Sequence, residues 1–289
     1  MTDSSDPTAP TGAAGTPVTC DDAARALESM RAAGPLVQCL TNTVVTNWTA
    51  NVLLAAGAAP AMVDNPHEAG DFATVASAVL INLGTPYDVT VAAMQEAVAA
   101  AARARTPWVL DPVAAGGLAW RTGVDRDLLQ LGAPAIIRGN ASEIIGLAGG
   151  VGGRGVDSTD TADAALEAAR ALAAEHGCVV AVSGEVDHLT DGHRLVRLSN
   201  GHPLLTRVTG VGCALGALMG AFAATSDDAL VAATAATGLL TVAADAAADG
   251  AAGPGSFAVA LLDQLATLAP QQLGERLRLE FESDGGADR

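Results

Sequence analysis

The chain contains no lysine: all 15 of its basic residues are arginines. A Walker A phosphate loop, a Schiff-base enzyme and the Tyr-x-x-x-Lys pair of short-chain dehydrogenases each need an amine or ammonium group, so all three are excluded. Any phosphate bound here must be met by arginine, backbone N–H groups or a metal ion. Aromatic residues are also scarce, at 3% within a hydrophobic content of 50%. Ala, Val and Leu must therefore fill the interior, which suits helices packed closely on a sheet, and a layered α/β fold is expected. Positive charge is in the minority, with 32 acidic residues and a net charge of −17. Such a surface repels nucleic-acid backbones and anionic membranes, so neither is an expected partner. No apolar run reaches membrane-spanning length without Gly, Asp or Asn interrupting it. The four cysteines, Cys20, Cys39, Cys178 and Cys213, form no C-x-x-C pair, and residues 1–18 have neither a basic n-region nor an apolar h-region. Reduced thiols and a cytoplasmic location are the expectation.

A chain of 289 residues can bury a substantial core. Residues 1–18, rich in Ser, Thr, Pro, Gly and Asp, read as a disordered tail, and 19–289 as one domain. Short β-rich runs at 36–40, 60–63, 79–83, 108–111, 135–138 and 178–182 alternate with helical segments at 21–33, 47–56, 67–77, 89–105, 125–131, 140–147 and 161–176. This alternation predicts a mainly parallel sheet covered on both faces. Two further strands, 186–190 and 194–198, flank Asp191-Gly192 and predict a hairpin; helices follow at 213–224, 228–248 and 256–268. In a parallel sheet ligands gather beyond the C-terminal strand ends. That rule singles out Thr41-Asn42, Asp64, Asn82 to Gly84, Asp111, Arg138 to Asn140 and Ser183 to Glu185.

Thr209-Gly210-Val211-Gly212-Cys213 is the most informative stretch. A glycine-flanked turn feeding a helix points unpaired N–H groups at one spot, and the helix dipole favours an anion there. Gly210, Val211, Gly212 and Cys213 thus form a candidate anion hole. The field that holds an anion also stabilises a thiolate, so Cys213 reads as a base or nucleophile, with a small buried hydrophobe as the structural alternative. Asp111 and Glu143 supply hard oxygens for a magnesium ion carried in by a nucleotide, their other readings being a turn stabiliser and a first-turn helix acid. Arg138 is the candidate phosphate cation, because its fork engages two oxygens at once; a salt bridge to Glu143 is the alternative. The run at 150–155 spells G-x-G-x-x-G but follows a helix instead of a strand, so it reads as a surface loop. The Asp187 to His193 cluster reads as hairpin turn chemistry.

Taken together, these motifs resemble the hydroxyethylthiazole kinase family of the ribokinase-like superfamily. The likeness runs through Thr41-Asn42-Thr43-Val44-Val45, Thr49-Ala50-Asn51, Pro60-Ala61-Met62, Asn82-Leu83-Gly84-Thr85, Asp111-Pro112-Val113, Arg138-Gly139-Asn140-Ala141-Ser142-Glu143, Ser183-Gly184-Glu185, Thr209 to Cys213 and Gly253-Pro254-Gly255-Ser256-Phe257. It implies a ribokinase-like fold and magnesium-dependent transfer of the ATP γ-phosphoryl group to 4-methyl-5-(2-hydroxyethyl)thiazole in thiamine salvage. By the same resemblance Met62 and Asn42 contact the thiazole and Gly210 lies beside its hydroxyethyl arm. Arg138 and Ser183 bind ATP, Asp111 and Glu143 serve the metal and phosphates, and Cys213 occupies the site of the general base. A homotrimer with active sites between subunits is implied as well.

This chain departs from the family pattern in three places: Val211 for Ala or Thr, Ser183 for Thr, and Ala114 for Gly. A kinase of a pyrimidine alcohol, or a repair dehydratase of the same superfamily, is expected to carry aspartate at position 213. A dinucleotide oxidoreductase using Gly210, Gly212 and Gly216 needs an acidic residue closing a second strand about 20 residues on. Asp227 and Asp228 fall at a predicted helix start instead. A non-catalytic sensor remains the third class.

Overall fold

The computed structural model describes residues 15–150 and 165–283. The apolar runs become β1 (Leu36–Leu40), β2 (Ala59–Ala61), β3 (Ala78–Asn82), β4 (Trp108–Asp111), β5 (Ile136–Asn140), β6 (Val179–Ser183), β7 (Asp187–Thr190), β8 (Arg194–Leu198) and β9 (Leu279–Ser283). They form one sheet ordered β2-β1-β3-β4-β5-β6-β7-β8-β9. Strands β1 to β6 are parallel, and β7, β8 and β9 join antiparallel. Every residue of β3 and β4 is buried, which is why these segments read as unbroken apolar runs instead of alternating ones.

The helices are α1 (Cys20–Ala33), α2 (Thr46–Ala56), α3 (Ala69–Val75), α4 (Asp88–Ala104), α5 (Ala119–Leu131), α6 (Ala141–Leu147), α7 (Leu166–His176), α8 (Val211–Ala223), α9 (Ala229–Ala248), α10 (Pro254–Thr267) and α11 (Pro270–Arg276). Successive strand residues point to opposite faces. Leu80, Val109 and Ile136 therefore join the core under α1, α2 and α8 to α11, while Ile81, Leu110 and Ile137 join the core under α3 to α7. Helix α9 is long and apolar enough to cross a membrane by length and composition, but its apolar window is 78% buried inside the fold. An all-round apolar helix of this kind is what the middle of a layer requires.

Helix α8 matters most for the site. Its small residues let it lie close on the sheet: a Cβ on Gly216 would stand 3.0 Å from Leu80 Cδ1, and one on Gly220 3.6 Å from Ala78 and Val37. Gly216 also lies near Asp111 at the C-terminal end of β4, whereas Gly220 lies over Ala78 at the start of β3. The helix N-terminus is thereby set at the C-terminal rim of the parallel strands.

Several boundaries differ from the sequence-based expectation. Strand β5 continues past Arg138 to Asn140, and α5 begins at Ala119 instead of residue 125. Helix α11 and strand β9 were not anticipated; β9 pairs with β8 and supplies the outer edge of the sheet. Val18 is only 2% exposed, and Thr19 caps α1 through a reciprocal pair with Asp22, so the packed chain starts before residue 19. The glycine-rich run at 151–155, the first residues of the helix expected at 161–176, and 1–14 of the expected tail lie outside the described residues. In the hairpin Gly192 has φ 98°, and Asp191 Oδ1 accepts the N–H groups of His193 and Arg194. The Arg194 fork then bonds both carboxylate oxygens of Asp228, tying the hairpin to the start of α9.

Candidate active site

Neighbouring strands deliver the candidate residues to one rim in sheet order. Met62 follows β2, Asn42 follows β1, Asn82 ends β3, Asp111 ends β4, Arg138 lies in β5 and Ser183 ends β6. After β1 the chain moves out to β2 and then returns to the other side for β3, so the strand order switches between β1 and β3. Such switch points open the crevice in which α/β sheets bind ligands.

The N-terminus of α8 closes this crevice. Gly210 is its cap in the left-handed conformation at φ 85°, and the first helical bond runs from the Ala214 N–H to the Gly210 carbonyl at 2.9 Å. The amides of Val211, Gly212 and Cys213 precede that bond and have no acceptor within the helix. Cys213 is thus the third helical residue, not the first. Val211 is buried in the hydrophobic core, so its extra bulk points away from the anion hole. Gly212 makes room for Arg138, since a Cβ there would stand 2.9 Å from Nη2 and 3.0 Å from Nη1. A guanidinium resting beside a helix N-terminus is a like-signed pair, and a bound anion reconciles the two.

Polar side chains join these groups into one continuous line. Arg138 Nη2 donates to Ser183 Oγ at 3.1 Å, and Nη1 donates to Asp111 Oδ2 at 3.4 Å. Asn82 Nδ2 donates to the same Asp111 oxygen at 2.6 Å. Asn82 Oδ1 accepts from Asn42 Nδ2 at 2.9 Å, and Asn42 Nδ2 also donates to Cys213 Sγ at 3.4 Å. The ion pair of Arg138 is with Asp111, not with Glu143. Glu143 instead accepts from the N–H groups of Asn140 and Ala114 through its two oxygens, at 2.9 and 3.1 Å. It caps α6 and clamps the 112–117 turn. Ala114 holds that turn at φ 66°. A left-handed alanine costs about 1 kcal/mol or more that a glycine would not.

Burial pushes the Asp111 carboxyl up to about 7, helped by the nearby Glu143 charge and opposed by Arg138 and Asn82. Asp111 Oδ1 is buried and has no hydrogen-bond partner among the described residues. A hard oxygen left open in this way fits a divalent cation. No group of three or more His, Cys, Asp or Glu able to hold a metal occurs among the described residues. The oxygens that could meet a magnesium ion are the open Oδ1 of Asp111 and, alongside their backbone N–H partners, those of Glu143.

The Cys213 thiol departs from expectation. Burial raises it above the ordinary thiol range, and Asp111 adds to the rise, while Arg138, Asn82 and Asn42 oppose it. Desolvation thus outweighs the stabilising field at the helix start, and the resting group is a thiol.

Two buried carboxyls carry shifts not anticipated from the sequence: Asp187, read there as part of the hairpin cluster, and Asp125, which was not singled out. Asp187 is pushed up to about 6 by burial, with the Gly184 N–H and Arg138 opposing the rise. Asp125 on α5 is fully buried, and both of its oxygens lack a hydrogen-bond partner among the described residues. Burial first, then Asp111 and Glu143, push it up to about 8. From the sequence the helix is expected to start at Asp125; with α5 beginning at Ala119 the residue falls mid-helix, and only the fold reveals that this face is inward. A raised carboxyl disfavours folding increasingly as pH climbs from its unfolded value of about 4 toward the folded value. Asp125→Asn is expected to raise Tm more at pH 8.5 than at pH 5, measured by thermal unfolding; an equal change at both pH values would contradict the burial of an ionising group.

A ribokinase-like superfamily protein from Enterococcus faecalis V583 has a similar fold, with a TM-score of 0.57 at 12% identity, over 90% of this chain and 92% of that one. Fold and rim together define a ribokinase-like α/β fold with an arginine, a carboxylate and a helix N-terminus disposed around one crevice. The family model for the hydroxyethylthiazole kinase family matches residues 27–271, and the chain belongs to that family. It is 60% identical to a hydroxyethylthiazole kinase of Clavibacter sepedonicus, over 92% of this chain and 95% of that protein. The structure of a hydroxyethylthiazole kinase protein from Pyrococcus horikoshii OT3 superposes with a TM-score of 0.83 at 38% identity, covering 90% and 99% of the two chains.

Proposed function

We propose that the protein transfers the γ-phosphoryl group of ATP to the hydroxyl of 4-methyl-5-(2-hydroxyethyl)thiazole, forming its monophosphate in thiamine salvage. The observation that carries this reading is the unbroken line from Ser183 and Arg138 through Asp111 to Asn42 and Cys213, drawn across the N-terminus of α8. Arg138 and Ser183 take the ATP phosphates at one end. Asn42 and Met62 take the thiazole at the other, with its hydroxyethyl arm beside Gly210. Asp111 and Glu143 are the residues that would hold a magnesium ion, which would supply charge neutralisation at the phosphate oxygens. The amides of Gly210, Val211, Gly212 and Cys213 offer preorganised donors where negative charge develops.

Phosphoryl transfer asks for positioning and electrostatics more than for covalent chemistry. The raised thiol of Cys213 fits that demand, because beside the acceptor hydroxyl it rests protonated instead of poised as a thiolate base. Cys213→Ser is expected to lower kcat by about 10- to 100-fold without abolishing turnover. Complete loss with intact ATP binding would instead mark an obligatory base or a covalent step.

The same reading includes a cytoplasmic homotrimer with active sites between subunits. Four free cysteines support the reducing compartment. Exposed Val44 at the acceptor half of the rim, with exposed Leu54 further along α2 and exposed Val259 on α10, supports an apolar subunit contact along that side. Sedimentation at the trimer mass is expected. The function itself is tested by ADP release that requires the thiazole alcohol and magnesium; release indifferent to the alcohol would refute it.

A further inference from the structure

We propose that Asn82 is a positioning residue for both halves of the site, through which one amide sets the Asn42 side chain toward the thiol and the Asp111 carboxylate with one oxygen open. The inference rests on the kinase reading and assigns a role to a strand-end residue that reading leaves without one.

Asn82 is 1% exposed and stands opposite Asp111 in the β3–β4 register. Its Oδ1 accepts from the Gly84 N–H at 3.0 Å and from Asn42 Nδ2 at 2.9 Å. Two donors on one oxygen determine which end of the amide is which, so Nδ2 must face Asp111 and donate to Oδ2 at 2.6 Å. Asp111 Oδ2 is thereby occupied by Asn82 and Arg138, and Oδ1 is the oxygen left open. On the other side, Asn42 has its oxygen end turned away from Asn82, and its amide protons serve Asn82 and the sulfur. Gly84 seals this arrangement from outside: a Cβ there would lie 2.5 Å from Asn42 Nδ2 and 2.7 Å from its Cγ. Asn42 cannot swing outward without leaving its partner. No other side chain in the line bonds to a residue of each half.

The two functions separate on substitution. Asn82→Asp keeps an oxygen for Gly84 and Asn42 but loses the amide donor; two carboxyls at that spacing cannot both be ionised, so they share one proton and Asp111 no longer stands as a full carboxylate with one oxygen open. Asn82→Ala removes the bonds to both sides. The test measures kcat and KM for each substrate, with calorimetric Kd for the thiazole alcohol in the absence of ATP. For Asn82→Asp, thiazole Kd and KM are expected to stay within about twofold, while kcat falls at least about 30-fold and the KM for ATP rises. For Asn82→Ala, thiazole Kd is expected to weaken by at least about fivefold in addition.

The calorimetric arm reads the acceptor half even when turnover is too slow to measure. Equal thiazole affinities in the two variants, or a kcat for Asn82→Asp within threefold of wild type, would overturn the proposal. So would failure of both variants to fold in thermal unfolding, which would make Asn82 a structural residue. Wild-type protein that neither binds nor phosphorylates the thiazole alcohol would instead refute the kinase reading, which keeps the two failures distinct.

Discussion

Arg138→Ala is expected to cut kcat/KM for ATP by about a thousandfold, roughly 4 kcal/mol of transition-state stabilisation. Three observations set that size. The guanidinium is nearly buried, bridges Ser183 and Asp111, and lies against the backbone of Gly212 at the head of α8. No lysine exists anywhere in the chain to substitute for it. Its removal also leaves Asp111 buried without a cation, which favours the protonated carboxyl and weakens the group expected to hold magnesium. Arg138→Lys is expected to recover little, because an ammonium is a point charge and cannot span both partners as the fork does. Steady-state kinetics with ATP as the varied substrate reads the effect, with thermal unfolding as the check on folding. A loss under tenfold for the alanine variant would remove Arg138 from the phosphate site.

Gly210→Ala is expected to be nearly as damaging, lowering kcat by about 100-fold and Tm by several degrees. The backbone at 210 is left-handed at φ 85°. The added Cβ would fall inside Val45 Cγ1 and Cβ and within 3.2 Å of Trp48 Cδ1. Both residues belong to the start of α2, so the collision drives α2 and the N-terminus of α8 apart, and these carry the acceptor and phosphate halves of the crevice. The measurement pairs kcat with a melting curve. A variant with wild-type kcat and reduced Tm would show that the cap is structural and that the amides of the turn are not needed in the transition state.

These two sites also show how far the residues could be read in advance. Arg138 was singled out by its place at a predicted strand end, which β5 extends to Asn140, and the turn at Gly210 by its glycines before a small apolar run. Both signals are local, and the fold preserved them. The identity of Arg138's partner was not local: Asp111 and Glu143 are both acidic and both near, and only the β4–β5 pairing decides for Asp111. Glu143 instead meets the backbone of the neighbouring turn, a contact between segments far apart in sequence. The direction of the Cys213 shift was likewise hidden, because the N-terminal field is visible in sequence while the depth of burial is not. Asn82 was marked by its strand end, but its role needed two partners from other segments, Asn42 and Asp111. Asp125 was hidden because the helix was expected to start there, where an acidic residue ordinarily faces water, and only the longer α5 carries it to an inward face. Val211 runs the other way: it puts a bulkier residue than Ala or Thr in the anion-hole turn, and the helix start at 211 turns that bulk into the core.

The most direct test of the central claim offers the purified protein an equimolar mixture of 4-methyl-5-(2-hydroxyethyl)thiazole and the hydroxymethylpyrimidine alcohol, with ATP and magnesium, and identifies the phosphate ester by mass spectrometry. The account predicts the thiazole monophosphate as the dominant product, formed in step with ADP. A pyrimidine phosphate in its place, or ADP released with no ester of either alcohol, would contradict it.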